Sequence, residues 1–137
     1  MDGILIIEDD FMLSKELKDF MQLEFNNVIV DTTSTYTRAI ELCKLHTYKI
    51  IFIDIMMPFS KDEKSSDANL DSYLNTGIVL KNKIHEILES RGIRNNCKIG
   101  FFSAKVDVGP GDLGNLDFHI TKPILLTELI NFIRDNI

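Results

Sequence analysis

The chain has 137 residues, 45% hydrophobic and 26% charged, which suits one globular domain with a real core and excludes global disorder. A formal net charge of −6 leaves no basic surplus for direct nucleic acid binding or for an anionic membrane surface. Cys43 and Cys97 make no C-x-x-C pair or disulfide framework, and the apolar start is too short for a signal segment or a span. The expectation is a single cytoplasmic domain over 1–137.

Taken in order, Ile4 to Ile7 predict a buried strand that ends in Glu8-Asp9-Asp10. Phe11 to Phe25 carry Leu13, Leu17, Phe20 and Met21 at helical spacing, with Asp10 as the N-cap. Val28 to Val30 predict a second strand, and Thr32 to Leu45 a second helix with Tyr36, Ala39, Ile40 and Cys43 on one face. Ile50 to Ile53 are four apolar residues rich in β-branched types, the mark of a strand buried on both faces. That strand stops at Asp54, and Pro58 disfavours further pairing.

Residues 59–75 are mostly polar and have no period, so they read as an inserted loop with Phe59, Leu70 and Tyr73 expected as its apolar anchors. Gly77 to Ser90 resume helical spacing through Leu80, Ile84, Ile87 and Leu88, and Arg91-Gly92 close the helix. Lys98 to Phe102 predict a fourth strand ending at Ser103. Gly109, Pro110, Gly111 and Gly114 crowd the segment Val106 to Leu116, so a fourth helix there is expected to be short or irregular. Asp117 to Ile120 predict a fifth strand, followed by Thr121-Lys122-Pro123. A last helix spans Leu125 to Asn136, with Leu126, Leu129, Ile130 and Ile133 toward the core.

Five alternations of strand and helix imply an α/β fold, a parallel sheet with helices on both faces. Right-handed crossovers put all the strand ends on one edge, so Glu8, Asp9, Asp54, Ser103 and Lys122 converge on a common crevice. Three carboxylates stay ionised together only with positive charge among them. Oxygen ligands without His or Cys favour a hard cation, and Mg2+ suits few carboxylates and several waters. A carboxylate nucleophile, a divalent ion, a lysine and a hydroxyl are the parts of phosphoryl transfer. His46, His85 and His119 lack ligand spacing and are expected at the surface or half-buried.

The stretches from Ile4 to Asp10, Phe52 to Pro58, Phe101 to Ala104 and Thr121 to Pro123 together resemble the receiver domain of bacterial two-component response regulators. They fall in family order and span essentially the whole chain. The resemblance implies a flavodoxin-like, doubly wound, five-stranded sheet of order 2-1-3-4-5. It makes Asp54 the phosphoacceptor and gives Mg2+ to Glu8, Asp9, Asp54 and the Met56 backbone carbonyl. Ser103 stands at the hydroxyl position that bonds the phosphoryl group, Lys122 at the lysine that pairs with it, and the Lys122-Pro123 bond at a cis position. The implied partners are a sensor histidine kinase or phosphotransfer protein, and downstream a partner protein or an effector domain outside this chain. On that reading the chain is a stand-alone receiver or a piece of a longer regulator, and is not an enzyme beyond assisting its own phosphorylation and dephosphorylation.

Three features depart from the family. The glycine that soon follows Met-Pro there is Gly77 here, beyond the 59–75 insertion, which either shields the site or contacts a partner, or is a plain solvated loop. His119, with Phe118 beside it, stands where the family often has a switching Tyr or Phe. The Gly/Pro-rich 106–116 segment falls in the usual signalling face. Two other functions compete: a degenerate receiver acting only as an interaction module, and a Mg2+-dependent phosphohydrolase with an aspartyl nucleophile. The second usually wants an acid two residues after the nucleophile, where Met56 stands.

Overall fold

The computed structural model describes residues 2–54, 73–104 and 116–137, without the side chains of 73–75 and 103–104. Five parallel strands, β1 (Asp2–Ile7), β2 (Val28–Thr33), β3 (Ile50–Ile53), β4 (Lys98–Ala104) and β5 (Phe118–Lys122), form one sheet in the order β2-β1-β3-β4-β5. Among the described residues there are four α-helices: α1 (Phe11–Glu24), α2 (Tyr36–Leu45), α3 (Tyr73–Ser90) and α4 (Leu126–Asn136). A 3-10 turn, Arg94–Asn96, precedes β4. The expected parallel α/β architecture and its strand order are both present.

The alternation of side chains along each strand sorts the core into two layers. Leu5, Ile7, Ile51, Ile53, Ile99 and Phe101 point to one face, where Ala39, Leu42 and Cys43 of α2 and Leu80, Ile84 and Leu88 of α3 cover them. Ile4, Ile6, Ile50, Phe52 and Phe102 point to the other, beneath Leu17 and Met21 of α1 and Leu129 and Ile133 of α4. The central strand β3 is apolar at every position because both of its faces are covered.

Local signals set most element ends. The Asp10 carboxylate accepts a hydrogen bond from Leu13 N–H at 3.1 Å and caps α1, as expected. Gly92 at φ +71° ends α3: its N–H bonds Glu89 O at 3.0 Å while Ile93 N–H bonds Leu88 O at 2.9 Å, a Schellman closure. Arg91 then ties this end of α3 to α2, donating to the carbonyls of Cys43 and His46 at 2.7 Å each. Gly100 lies opposite Phe118 in the β4–β5 register, and a Cβ there would fall 2.3 Å from the Phe118 carbonyl oxygen and ring, so only glycine fits.

Several boundaries differ from the sequence reading. β2 runs on to Thr33, paired with Ile7, and Thr35 caps α2, so this helix starts at Tyr36 and not at Thr32. Thr32 and Thr33 are β-formers, and the ladder with β1 claims them. α3 starts at Tyr73, taking in the end of the expected 59–75 loop; burial of Thr76 and Leu80, one turn apart, offsets the cost of Gly77 within the helix. β5 is shifted to end on Lys122, and Leu126 is 36% exposed at the start of α4 instead of core. Residues 59–72 of the insertion, most of the Gly/Pro-rich 106–116 segment and with it the expected irregular helix lie outside the described residues. No helix among the described residues is long and apolar enough to cross a membrane.

His85 on α3 is 8% exposed, against the expectation of a surface or half-buried position. Its Nδ1 accepts from Arg94 Nε at 2.8 Å, so the ring proton sits on Nε2, which is buried with no hydrogen-bond partner. Arg94 also bonds Cys97 O at 3.0 Å and pairs with Asp117 at 3.2 Å, and Asp117 in turn accepts from Ile99 N–H at 2.8 Å. Burial, then the positive charges of Arg94 and Lys81, hold His85 below the usual imidazole range, with Asp117 and Glu89 opposing them. An unfolded histidine titrates near ~6.5. Below that pH the unfolded chain binds a proton that the folded chain refuses, so stability is full above it and falls as pH drops toward the folded value. Urea unfolding at pH 7.5 and 5.5 should show a larger loss on acidification in the wild type than in His85→Gln. Equal losses would place no strain on His85.

Candidate functional site

Two strands run one residue past their ends as ladder. Asp54 N–H bonds Ile7 O at 2.8 Å and Glu8 N–H bonds Thr33 O at 2.9 Å. Glu8 therefore keeps the parity of Ile4 and Ile6, Asp54 that of Phe52, and Lys122 that of Phe118 and Ile120, all toward the α1/α4 face. The strand register thus brings together residues 114 positions apart. Glu8 is 2% exposed and Asp54 6%, whereas Asp9 lies open at the rim. One carboxylate oxygen from each of the three can be chosen so that all lie within 4.8 Å of one another.

Lys122, the last residue of β5, reaches into this group. Its ammonium donates to Glu8 Oε2 and stands 4.0 Å from Asp54 Oδ2. The other Glu8 oxygen accepts from the Asp10 N–H at 3.2 Å, so a residue read from sequence as only a helix cap also orients the site through its backbone. Burial, then hydrogen bonding to Asp54, push Glu8 up to about 8, against the pull of Lys122. Asp9 is also raised, by partial desolvation, then by hydrogen bonding to Asp54 and by its charge. Among the described residues three carboxylates thus face one ammonium. A divalent cation would balance them, and three hard oxygen donors with an open rim fit one.

Of the residues chosen from sequence, Glu8, Asp9, Asp54 and Lys122 converge within one cluster. Ser103 lies at the same sheet edge, opposite Thr121 in the register, with its side chain outside the described residues, as is Met56 altogether. The Lys122-Pro123 peptide bond is cis. His119 is exposed, with its ring edge-on to Phe101 at 6.3 Å, while Phe118 turns inward against Phe52 at 5.3 Å and Phe132 at 4.7 Å. Phe102 was expected only as part of the fourth strand, yet the Lys122 ammonium lies 5.2 Å over the centroid of its ring. Its even spacing with Phe52 and Ile120 across the register was the available signal.

No family model matches the sequence, and no curated protein matches it. Solved structures do. A CheY-like response regulator receiver domain from Methylobacillus flagellatus superposes with a TM-score of 0.74 at 19% identity, covering 100% of this chain and 99% of that one. The chain has the receiver-domain fold. The response regulator TrrA of Thermotoga maritima, solved in complex with Mg2+-BeF, gives a TM-score of 0.72 at 19% identity, with both chains covered in full. A Burkholderia pseudomallei response regulator with a phosphorylated aspartic acid and a calcium ion gives 0.67 at 14% identity, covering 95% of this chain and 65% of that one.

Removing one acid from an over-charged cluster relieves repulsion in the free protein but removes a ligand. In Asp9→Asn the thermal transition without metal should be unchanged or higher than in the wild type. Mg2+ at ten times its dissociation constant should stabilise the wild type by about 1.4 kcal/mol, a shift of a few degrees, and the variant by far less. Equal Mg2+ shifts in the two proteins would remove Asp9 from the metal site.

Proposed function

We propose that this chain is a phosphorylation-controlled switch of a two-component relay, which accepts a phosphoryl group on Asp54 with Mg2+ bound. The observation that carries the reading is the placement of a nearly buried Asp54 carboxylate beside Glu8 and Asp9, with the Lys122 ammonium 4.0 Å away. Two structures of the same fold add support, one carrying a phosphorylated aspartic acid and one solved with Mg2+-BeF. The donor is the phosphohistidine of a sensor histidine kinase or phosphotransfer protein. The output goes to a downstream partner protein or an effector domain.

In this mechanism an Asp54 oxygen attacks phosphorus as the P–N bond of the donor breaks. The electron pair of that bond stays on the ring nitrogen, and a donor ring protonated on its other nitrogen leaves as neutral imidazole. Bound Mg2+ would supply charge neutralisation for the incoming phosphoryl oxygens. Glu8, Asp9 and Asp54 would hold it, with the Met56 carbonyl assigned by resemblance. Lys122 is close enough to exchange Glu8 for an oxygen of the phosphoryl group, and Ser103, one residue before the end of β4, is assigned a hydrogen bond to the same group. Because the new partner of Lys122 exists only after transfer, the lysine favours the phosphorylated state, and such a differential contact is what shifts a two-state equilibrium.

Incubation with acetyl phosphate and Mg2+ should add one phosphoryl group to the wild type by intact mass and none to Asp54→Asn, and chelation of the metal should abolish the gain. The same gain in the variant would overturn the assignment of Asp54.

A further inference from the structure

We propose that Phe102 is a positioning residue for Lys122, its ring face holding the ammonium over the carboxylates and away from the groove beside them. That groove, of about 270 Å³ between α1 and the β5–α4 connection, is lined by Leu13, Leu17, Ile124 and Leu126 and shares Phe102 and Lys122 with the site. Lysine has a long flexible stem, so an ammonium with only Glu8 to hold it could turn into this opening. Phe102 stands on the border, with the Lys122 Nζ 5.2 Å from its ring centroid, inside the range of a cation–π attraction.

The ring is not free to turn away. Phe102 is buried and meets Phe52 edge-on at 6.0 Å and 71°. Phe52 is braced in turn by Phe118 at 5.3 Å and Phe132 at 6.2 Å, so the face offered to Lys122 is fixed from below by an aromatic cluster reaching α4. A ring face attracts charge over a broad area, unlike the directional pair with Glu8. The ammonium can therefore move from Glu8 toward Asp54, 4.0 Å away, without losing the ring. A leucine at this position would fill similar space and offer no negative face.

The kinetic consequence rests on the reading of Asp54 as phosphoacceptor; the hold on Lys122 does not. Site-specific replacement of Phe102 by 3,4,5-trifluorophenylalanine keeps the ring's shape and depletes its face, and Phe102→Leu removes the face altogether. Two readouts separate the claims: the order of the Lys122 ammonium by NMR relaxation, which needs no phosphoryl group, and the rate of phosphorylation by acetyl phosphate with Mg2+. Both replacements should loosen the Lys122 ammonium and slow phosphorylation about two- to fivefold. A trifluoro variant with the wild-type order at Lys122 would overturn the proposal, even if Phe102→Leu is slow, because shape alone would then account for the residue. Absence of phosphorylation in the wild type would sink the functional reading and leave the NMR relaxation to decide the role of Phe102.

Discussion

Glu8 and Asp54 sit almost wholly out of water, and a third carboxylate, Asp9, opens beside them. Ionised carboxylates in that setting are costly unless positive charge is close, and the described residues place one ammonium there, from Lys122. The Lys122 stem must cross from the far end of the chain to do this, which requires β5 to lie beyond β4 and its last residue to face the α1/α4 side. The alternation of side chains and the parallel register supply both conditions. The charge balance of the site is thus a consequence of sheet topology, and the described residues leave it short of positive charge.

The same geometry explains why the edge of this sheet is chemically alive while its interior is inert. Ile4 to Ile7 and Ile50 to Ile53, behind Glu8 and Asp54, are apolar and closed by helices, so no side chain there can neutralise the acids. Among the described residues Lys122 alone offsets them, and a metal ion from solvent would add the missing positive charge. The aromatic cluster of Phe52, Phe102, Phe118 and Phe132 lies beside this site, with the Phe102 ring next to the Lys122 ammonium. Through Phe52 it joins the ring that carries Lys122 to Phe132 of α4.

Much of this was legible in the sequence because it rests on local patterns. The apolar runs Ile4 to Ile7 and Ile50 to Ile53 could only be buried parallel strands, and the acids that stop them had to share an edge. Asp10 as a cap and Gly92 as a helix stop follow from local chemistry alone. The misses were of another kind. The extension of β2 to Thr33 depends on a partner strand, and the true length of α3 depends on what Thr76 buries against. The burial of His85 beside Arg94 and Asp117, and the seat of Lys122 on Phe102, join residues from separate elements, and no periodicity within one element reports them.

The most direct test of the account is where the Lys122 ammonium goes when Asp54 acquires a phosphoryl-like group. A crystal structure with Mg2+ and beryllofluoride on Asp54 measures it. The account predicts Lys122 Nζ at hydrogen-bond distance, roughly 2.7–3.2 Å, from a fluorine of the adduct, with its bond to Glu8 given up. A fully formed adduct with Lys122 still held by Glu8 alone would contradict it.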